Sequence, residues 1–179
     1  MVARLLRTAC VARASCRSGS RGDVEDHPEP ETFEEAGTSM KYILDTNVVS
    51  SLMKGEPNVI ERLKRVARAD VFMPQPVVAE IAYGIQRLAR SKRKEALASR
   101  FELLKAEIRC AVWSDDVSDA FGVVKAALER KGERIEDFDA AVAAHAVAEG
   151  GVLVTANLKH MMRVPGLEIE DWSQEIEKR

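Results

Sequence analysis

Four polar residues stand at positions where their side chains could act together in one reaction, and they are Asp45, Glu80, Asp139 and Asn157. Carboxylates that are packed together repel each other and raise each other's pKa, unless a cation lies between them. Oxygen ligands suit a hard divalent ion, so Mg²⁺ is the expected cofactor, with Mn²⁺ as a substitute. These residue types therefore predict an acidic metal-binding site.

Glu80 lies within an apolar pattern that is typical of an amphipathic helix. Val77, Ile81 and Ile85 recur at helical spacing, and Pro76 suits a first helical position. Glu80 comes three residues after Val77, so it is predicted to project from the same apolar face. A carboxylate that points toward a core requires a partner or a cation. The alternative is an ion pair between Glu80 and Arg87 or another base.

The other two acids also have purely structural interpretations. Asp45 could form a local turn with Asn47, because Asp side chains often hydrogen-bond to nearby residues in turns. Asp139 could be an acid that a helix start favours, with Asp137 as the capping residue. Each signal is weak when taken alone, and their common placement carries the prediction of a metal site.

The elements that must position these residues alternate between strand and helix patterns from Met40 onward. Strands are predicted at 41–44, 70–73, 109–113 and 152–157, with a last edge strand within 166–172. One helical stretch is predicted after the first strand. Further helices are predicted around Glu80, at about 92–108, at 115–132 and from 137 to the glycines at 150 and 151. This order predicts an α/β fold with a mostly parallel sheet flanked by helices. Ligands bind beyond the carboxyl ends of such strands, where Asp45 and Asn157 are expected.

Composition divides the chain near residue 40. Residues 1–39 are first arginine-rich and then acidic, without the apolar periodicity of a packed element, and they are predicted to be a disordered extension. The acid-free beginning also has the character of a mitochondrial transit peptide, which is the alternative. The domain is predicted to span 40–173 and a short tail 174–179.

Overall composition limits the possible functions. Hydrophobic residues make up 46% of the chain and charged residues 31%, with a formal net charge of −2. This is typical of a folded domain, and no apolar run reaches membrane-spanning length. The three cysteines show no metal-ligand spacing, which favours a reducing, cytoplasmic location.

A local basic patch must supply any contact with nucleic acid, because the net charge is slightly negative. A basic stretch follows the Glu80 helix and could steer an RNA backbone, although a solvated helix end is an equal alternative. Aromatic residues make up only 5% of the chain, so no base-stacking platform is predicted. The basic residues of this stretch are Arg87, Arg90, Lys92, Arg93, Lys94 and Arg100.

Four motifs together resemble those of PIN-domain ribonucleases, and specifically the VapC-type toxins of toxin–antitoxin pairs. The motifs are YILDTNVVS, VVAEIAYGI, GERIEDFDAAVAAHA and VLVTAN…RVPGLEIEDW, and they cover residues 40 to about 173. The resemblance implies a PIN-like three-layer fold and a Mg²⁺-dependent endoribonuclease that cleaves RNA. It also implies a cognate antitoxin and a homodimer. By position, Asp45, Glu80 and Asp139 match the family's three acidic site residues. Asn157 matches the fourth, which is aspartate or asparagine among relatives.

The expected roles follow from this chemistry. Asp45 and Asp139 are predicted to be direct metal ligands, and Glu80 is either a third ligand or the group that orients the attacking water. Asn157 would hold a water of the metal or a partner carboxylate. The RNA target, the number of metals and the identity of the antitoxin stay open.

Two histidines and two alternative functions complete the expectations. His145 is predicted to be a surface or packing residue, whereas His160, in a loop, could approach substrate. The alternative functions are a non-catalytic PIN module that binds RNA or protein and a phosphatase of the haloacid dehalogenase type. The second has the wrong order of motifs, since the acids precede the threonine-containing strand.

Overall fold

Five short strands form one parallel sheet in the computed structural model, which describes residues 40–174. They are β1 (Tyr42–Leu44), β2 (Val71–Pro74), β3 (Arg109–Ala111), β4 (Val152–Val154) and β5 (Glu168–Glu170). Their order in the sheet is β3-β2-β1-β4-β5, and every neighbouring pair is parallel. The predicted α/β fold is confirmed. The predicted extension 1–39 and residues 175–179 of the predicted tail lie outside the described residues.

Seven helices of the described part flank this sheet. They are α1 (Thr46–Lys54), α2 (Pro57–Arg65), α3 (Gln75–Gln86), α4 (Lys92–Glu107), α5 (Asp115–Lys131), α6 (Asp137–Ala148) and α7 (Leu158–Met161). A 3₁₀ turn at Arg68–Asp70 leads into β2. Between residues 40 and 174, no helix has the length and apolar character needed to cross a membrane.

The prediction of one continuous helical stretch after β1 is wrong, because α1 ends at a glycine. Gly55 has φ +86° and donates its N–H to the carbonyls of Ser51 and Leu52, which caps the helix. This left-handed conformation is strained for residues with a Cβ. Pro57 then begins α2 at a position where its missing N–H costs no hydrogen bond.

The strands β3, β4 and β5 are shorter than predicted by two or more residues, and polar contacts replace the sheet beyond the ends of β3 and β4. After β3, the N–H of Trp113 donates to the Gln75 side chain at 2.8 Å, and Val112 is 63% exposed. After β4, residues 155–157 turn into the hydrogen-bonded cluster described below. β5 likewise occupies only the centre of the predicted segment 166–172.

The junction of β1 and β4 lies at the centre of the sheet. Ile43, Leu44, Leu153 and Val154 are fully buried there. A Cβ on Gly151 would lie 2.8 Å from the carbonyl oxygen of Lys41, so only glycine allows β4 to enter the sheet this close to β1. The resulting register places the ends of β1 and β4 side by side.

Candidate active site

The carboxyl ends of β1 and β4 form a topological switch point. From β1 the chain proceeds outward through β2 and β3 on one side, and it returns to β4 and β5 on the other. Ligands of open α/β sheets bind in the crevice at such a point. Asp45 follows β1 directly, and its N–H donates to the carbonyl of Val154 at 3.0 Å. The sequence-based expectation for the position of Asp45 therefore agrees with the topology.

The Asp45 carboxylate is buried, with 4% of the residue exposed, and three donors hold it. Oδ1 accepts the N–H of Thr46 at 2.6 Å, while Oδ2 accepts the Thr155 hydroxyl and the Asn47 amide, each at 2.6 Å. Burial raises the Asp45 pKa above its usual value, and the charge of Glu80 raises it further. The three hydrogen bonds act in the opposite direction without cancelling this effect.

Thr155 and Asn47 form the support of this carboxylate, and sequence reasoning assigned no site role to either. The fully buried Thr155 hydroxyl donates to Asp45 and accepts from Asn47 Nδ2 at 3.0 Å and from the N–H of Asn157 at 2.9 Å. Asn47 Oδ1 accepts the N–H of Ala156 at 3.0 Å. Both residues are polar and follow central strands of the sheet, and this was the signal that could have found them.

Glu80 lies on α3 and is exposed, so the prediction that it projects from the buried face is wrong. The buried stripe of α3 contains Val77, Ile81 and Ile85, and Glu80 lies at its edge. The Thr46 hydroxyl donates to Glu80 Oε2 at 2.5 Å, which places the two carboxylates on either side of Thr46. No ion pair of the described residues involves Glu80, so the alternative pairing with Arg87 is not found.

Asp139 lies in the first turn of α6, next to the loop after β4. Asn157 Nδ2 lies 3.5 Å from Asp139 Oδ2, and His160 Nδ1 lies 3.6 Å from the same oxygen. Burial raises the Asp139 pKa, and the charge of Asp45 adds to this effect, whereas His160 opposes it. The neighbouring acid Asp137 does not cap α6. It pairs instead with Lys125 at 2.7 Å, and Glu136 occupies the capping position.

The prediction for His145 is confirmed, and that for His160 differs from the structure in the element on which the residue lies. His145 is a fully buried packing residue whose ring contacts Trp113 edge-on, with centroids 5.6 Å apart. His160 belongs to the short helix α7 and not to a loop, and it lies beside Asp139.

The carboxylates of Asp45, Glu80 and Asp139 could bind a divalent cation without enclosing it. The charge of Glu80 acts on Asp45, and that of Asp45 acts on Asp139, so Asp45 links the three acids. Within residues 40–174, no three Asp, Glu, His or Cys side chains are grouped tightly enough to enclose one ion together. Mg²⁺ usually retains several waters and takes only one or two carboxylates. The arrangement therefore suits a partly hydrated Mg²⁺ better than a fully enclosed ion.

A groove runs from Glu80 along α3. Its volume is about 320 Å³, and its walls come from α1, α3 and α4. Its lining includes Thr46 and Glu80 at one end, apolar residues such as Ile85 and Leu97, and the cations Lys54 and Arg93.

The predicted basic stretch is only partly available to a ligand. Lys94 Nζ donates to the carbonyls of Gln86 and Leu88, and Arg100 donates to the carbonyl of Met53 at 3.0 Å. These two cations stabilise the connection between helices. Arg93 lines the groove, and Arg87 lies over the ring of Tyr83.

The fold and the acids at the switch point together define a class of protein. The family model of the PIN domain matches residues 42–166, and the chain belongs to this family. This confirms the resemblance seen in the sequence motifs and decides against the haloacid dehalogenase alternative.

Among curated proteins, the chain is 31% identical over 137 residues to the ribonuclease VapC2 of Rickettsia felis, covering 75% of this chain and 100% of that one. It is 30% identical over 137 residues to the tRNA(fMet)-specific endonuclease VapC of Salmonella typhimurium, covering 74% of this chain and 98% of that one.

Solved structures of VapBC proteins are also similar to this chain. The DNA-bound VapBC2 structure of Rickettsia felis matches with a TM-score of 0.68 and 29% identity, covering 74% of this chain and 99% of the matched chain. The VapBC-1 structure of Haemophilus influenzae matches with a TM-score of 0.67 and 27% identity, covering 75% and 100%. The similarity thus extends over nearly the whole length of both relatives.

Proposed function

We propose that this protein is a Mg²⁺-dependent endoribonuclease and the toxin component of a VapC-type toxin–antitoxin pair. The observation that carries the proposal is the buried Asp45 carboxylate, which three donors hold at the switch point between Glu80 and Asp139. The names of its relatives, ribonuclease and tRNA-specific endonuclease, support the same activity.

Asp45 and Asp139 are the proposed ligands of the cation. Three hydrogen bonds use both lone pairs of Asp45 Oδ2 and one of Oδ1, which leaves a lone pair on Oδ1 for a metal. Asp139 Oδ2 lies near Asn157 and His160, so these two residues would orient the second carboxylate. When bound, Mg²⁺ would stabilise the negative charge that develops on the scissile phosphodiester.

Glu80 is proposed to orient the attacking water and to accept its proton. Its Oε2 accepts the Thr46 hydroxyl, while no described residue donates to Oε1. An exposed carboxylate with one free oxygen can accept a hydrogen bond from a water molecule and then accept its proton. Of the two roles open from the sequence, this geometry favours water orientation over direct ligation.

The partners follow from the same relationship. We propose RNA as substrate, because curated relatives are named ribonuclease and tRNA-specific endonuclease, and a small cognate antitoxin as inhibitor, because similar solved structures are VapBC complexes. Homodimerisation and a cytoplasmic location are part of the proposal. The domain is proposed to span residues 40–173, with 1–39 as an extension that the activity does not require.

The test is RNA cleavage by the purified chain, free of any partner, with Mg²⁺ or with EDTA. Transfer, ribosomal and messenger RNA are supplied separately. Asp139→Asn should remove the cleavage that Mg²⁺ supports. Asp137→Asn is the matched control, because it removes an equal charge only two residues from Asp139. The side chain of Asp137 is 72% exposed and lies outside the site. Folded wild-type protein that cleaves none of the three RNA classes in Mg²⁺ would contradict the proposal and favour the non-catalytic alternative.

A further inference from the structure

Tyr83 is an exposed aromatic residue one helical turn beyond Glu80. It is 63% exposed, although a tyrosine ring normally buries much of its surface. Residues three apart on a helix project from the same side, so Tyr83 and Glu80 occupy neighbouring positions on the surface of α3. A single exposed tyrosine is ordinary by itself, and its position one turn from Glu80 is what requires an explanation.

Arg87 extends this feature by one more turn. Its guanidinium carbon lies 5.4 Å from the centroid of the Tyr83 ring, within the range of a cation–π contact. Glu80 and Tyr83 on α3, with Arg87 at its C-terminal cap, therefore form an exposed strip that carries a carboxylate, an aromatic ring and a planar cation in order. We call these three residues the α3 strip.

Other aromatic residues of the described part of the chain differ from Tyr83. Trp113 packs against Phe121 and His145, and Tyr42 packs against Trp172. Phe138 is 49% exposed, but no cation contact to its ring is found within residues 40–174. Tyr83 combines exposure, a stacked cation and an adjacent acid of the site.

We propose that Tyr83 and Arg87 form a nucleobase-stacking site that holds one unpaired base of the RNA beside the phosphodiester to be cleaved. The inference rests on the proposed ribonuclease function. Aromatic rings and guanidinium planes stack on the bases of single-stranded RNA, and the cation also attracts the backbone. The low aromatic content of the chain argued against such a site, but one well-placed ring is sufficient.

The stacking site predicts that the preferred substrate is single-stranded at the cleavage position. In a duplex the bases are stacked on each other and cannot reach the ring without being flipped out. We therefore expect loops and unpaired ends to be cleaved, and continuous duplex RNA to be bound only through its phosphates.

Binding of short RNA to the full chain tests the proposal. The probes are a fluorescent single-stranded 12-nucleotide RNA, the same RNA with one abasic position moved along its length, and a duplex RNA. Measurements use the Asp139→Asn background with Mg²⁺, so that the RNA stays intact. Tyr83→Leu keeps bulk but removes the ring, Tyr83→Phe keeps the ring, and Phe138→Leu is the matched control.

Tyr83→Leu should weaken binding of the single strand about tenfold, whereas Tyr83→Phe and Phe138→Leu should change it less than about twofold. One abasic position should weaken binding to the chain with Tyr83 but have no further effect on Tyr83→Leu. Duplex binding should be the same in all variants. In cleavage assays with Asp139 restored, Tyr83→Leu should raise KM more than it lowers kcat.

Other results would overturn the inference in distinguishable ways. Metal-dependent cleavage that Tyr83→Leu leaves unchanged would refute the stacking site and keep the proposed function. A Tyr83→Leu variant that changes oligomeric state in size-exclusion chromatography, with RNA binding unaltered, would assign the ring to a protein interface instead. Stacking that persists in a chain that cleaves no RNA would support the site and refute the nuclease.

Discussion

At the residue scale, the site depends on the hydrogen bonds that the buried Asp45 carboxylate accepts. Asp45 receives hydrogen bonds from Thr46, Asn47 and Thr155, but burial and the charge of Glu80 still raise its pKa. Asp139 has only the longer contacts with Asn157 at 3.5 Å and His160 at 3.6 Å, and burial together with the charge of Asp45 raises its pKa. The two acids therefore contribute differently to stability when no cation is present.

Asp139→Asn should stabilise the metal-free protein at pH 7. Because the folded-state pKa of Asp139 is raised, its protonated form favours folding, and this stability is lost as the pH rises through that pKa. Removal of the charge should increase the free energy of unfolding by roughly 0.5 kcal/mol. Urea denaturation in EDTA measures this, and the difference from wild type should disappear near pH 3. A decrease at pH 7 would show that the contact with His160 outweighs the repulsion.

Asp45→Asn should have the opposite effect under the same conditions. An amide at this position brings its NH₂ group either against the N–H of Thr46 or against the donors of Thr155 and Asn47, so in either orientation a hydrogen bond of the buried group is lost. We expect a loss of about 1–3 kcal/mol in the free energy of unfolding. An equal gain in both variants would mean that repulsion alone determines the stability of the site.

Thr155→Val tests the support of Asp45 directly. The substitution preserves shape but removes the hydroxyl that donates to Asp45 and accepts from Asn47 and Asn157. It should lower the free energy of unfolding by about 1–3 kcal/mol and reduce cleavage in Mg²⁺. Thr155→Ser retains the hydroxyl and should recover most of both. Equal loss in Thr155→Ser would assign the effect to packing of the methyl group.

The sequence could locate the acids but not their support. Asp45 was predicted because it follows a short apolar strand, and the parallel sheet then places residues after β1 and β4 together. The partner of its Oδ2, Thr155, is 110 residues away, and only the register of β1 with β4 brings the two into contact. Glu80 was assigned to the buried stripe of α3 but lies at its exposed edge, because helical spacing alone does not say which rows of residues are covered.

At the scale of elements, α6 carries a residue of the site at its start and packs against α5. Asp139 lies at its beginning, and His145 is buried two turns later with neither ring nitrogen hydrogen-bonded. Burial lowers the pKa of His145, so the neutral ring is the form that folds. Short strands and the break between α1 and α2 were the element features that the sequence missed. The signals of the break, Gly55 and Pro57, were present but were overridden by the helical pattern around them.

His145→Leu should make the protein less sensitive to acid. Since the folded-state pKa of His145 is lowered, its stability contribution is complete above the unfolded pKa near 6.5 and is lost as the pH falls. Between pH 7.5 and 5.5, wild type should lose about 1 kcal/mol more than the leucine variant. Urea denaturation at both pH values provides the comparison. Parallel losses would indicate that water reaches the ring and that protonation carries no penalty.

At the scale of the whole molecule, the described domain contains a complete core. The buried apolar cluster of the described residues extends from Ile43 to Trp172, and the family model begins at residue 42. A chain that starts at Met40 should therefore unfold with the same midpoint and the same urea dependence as the full chain. Calorimetry and urea denaturation of both chains test this. A midpoint lower by several degrees would show that residues 1–39 contribute to the fold.

The central position of β1 also has a consequence for the order of synthesis. Among the strands of residues 40–174, β1 is the first to leave the ribosome, yet one of its two neighbours, β4, is made more than 100 residues later. Until then Asp45 lacks both Thr155 and the wall that carries Asn157, so a growing chain cannot assemble the pocket. We therefore expect the nascent polypeptide to be harmless to the RNA around it, and the ability to cleave to arise only near the end of translation.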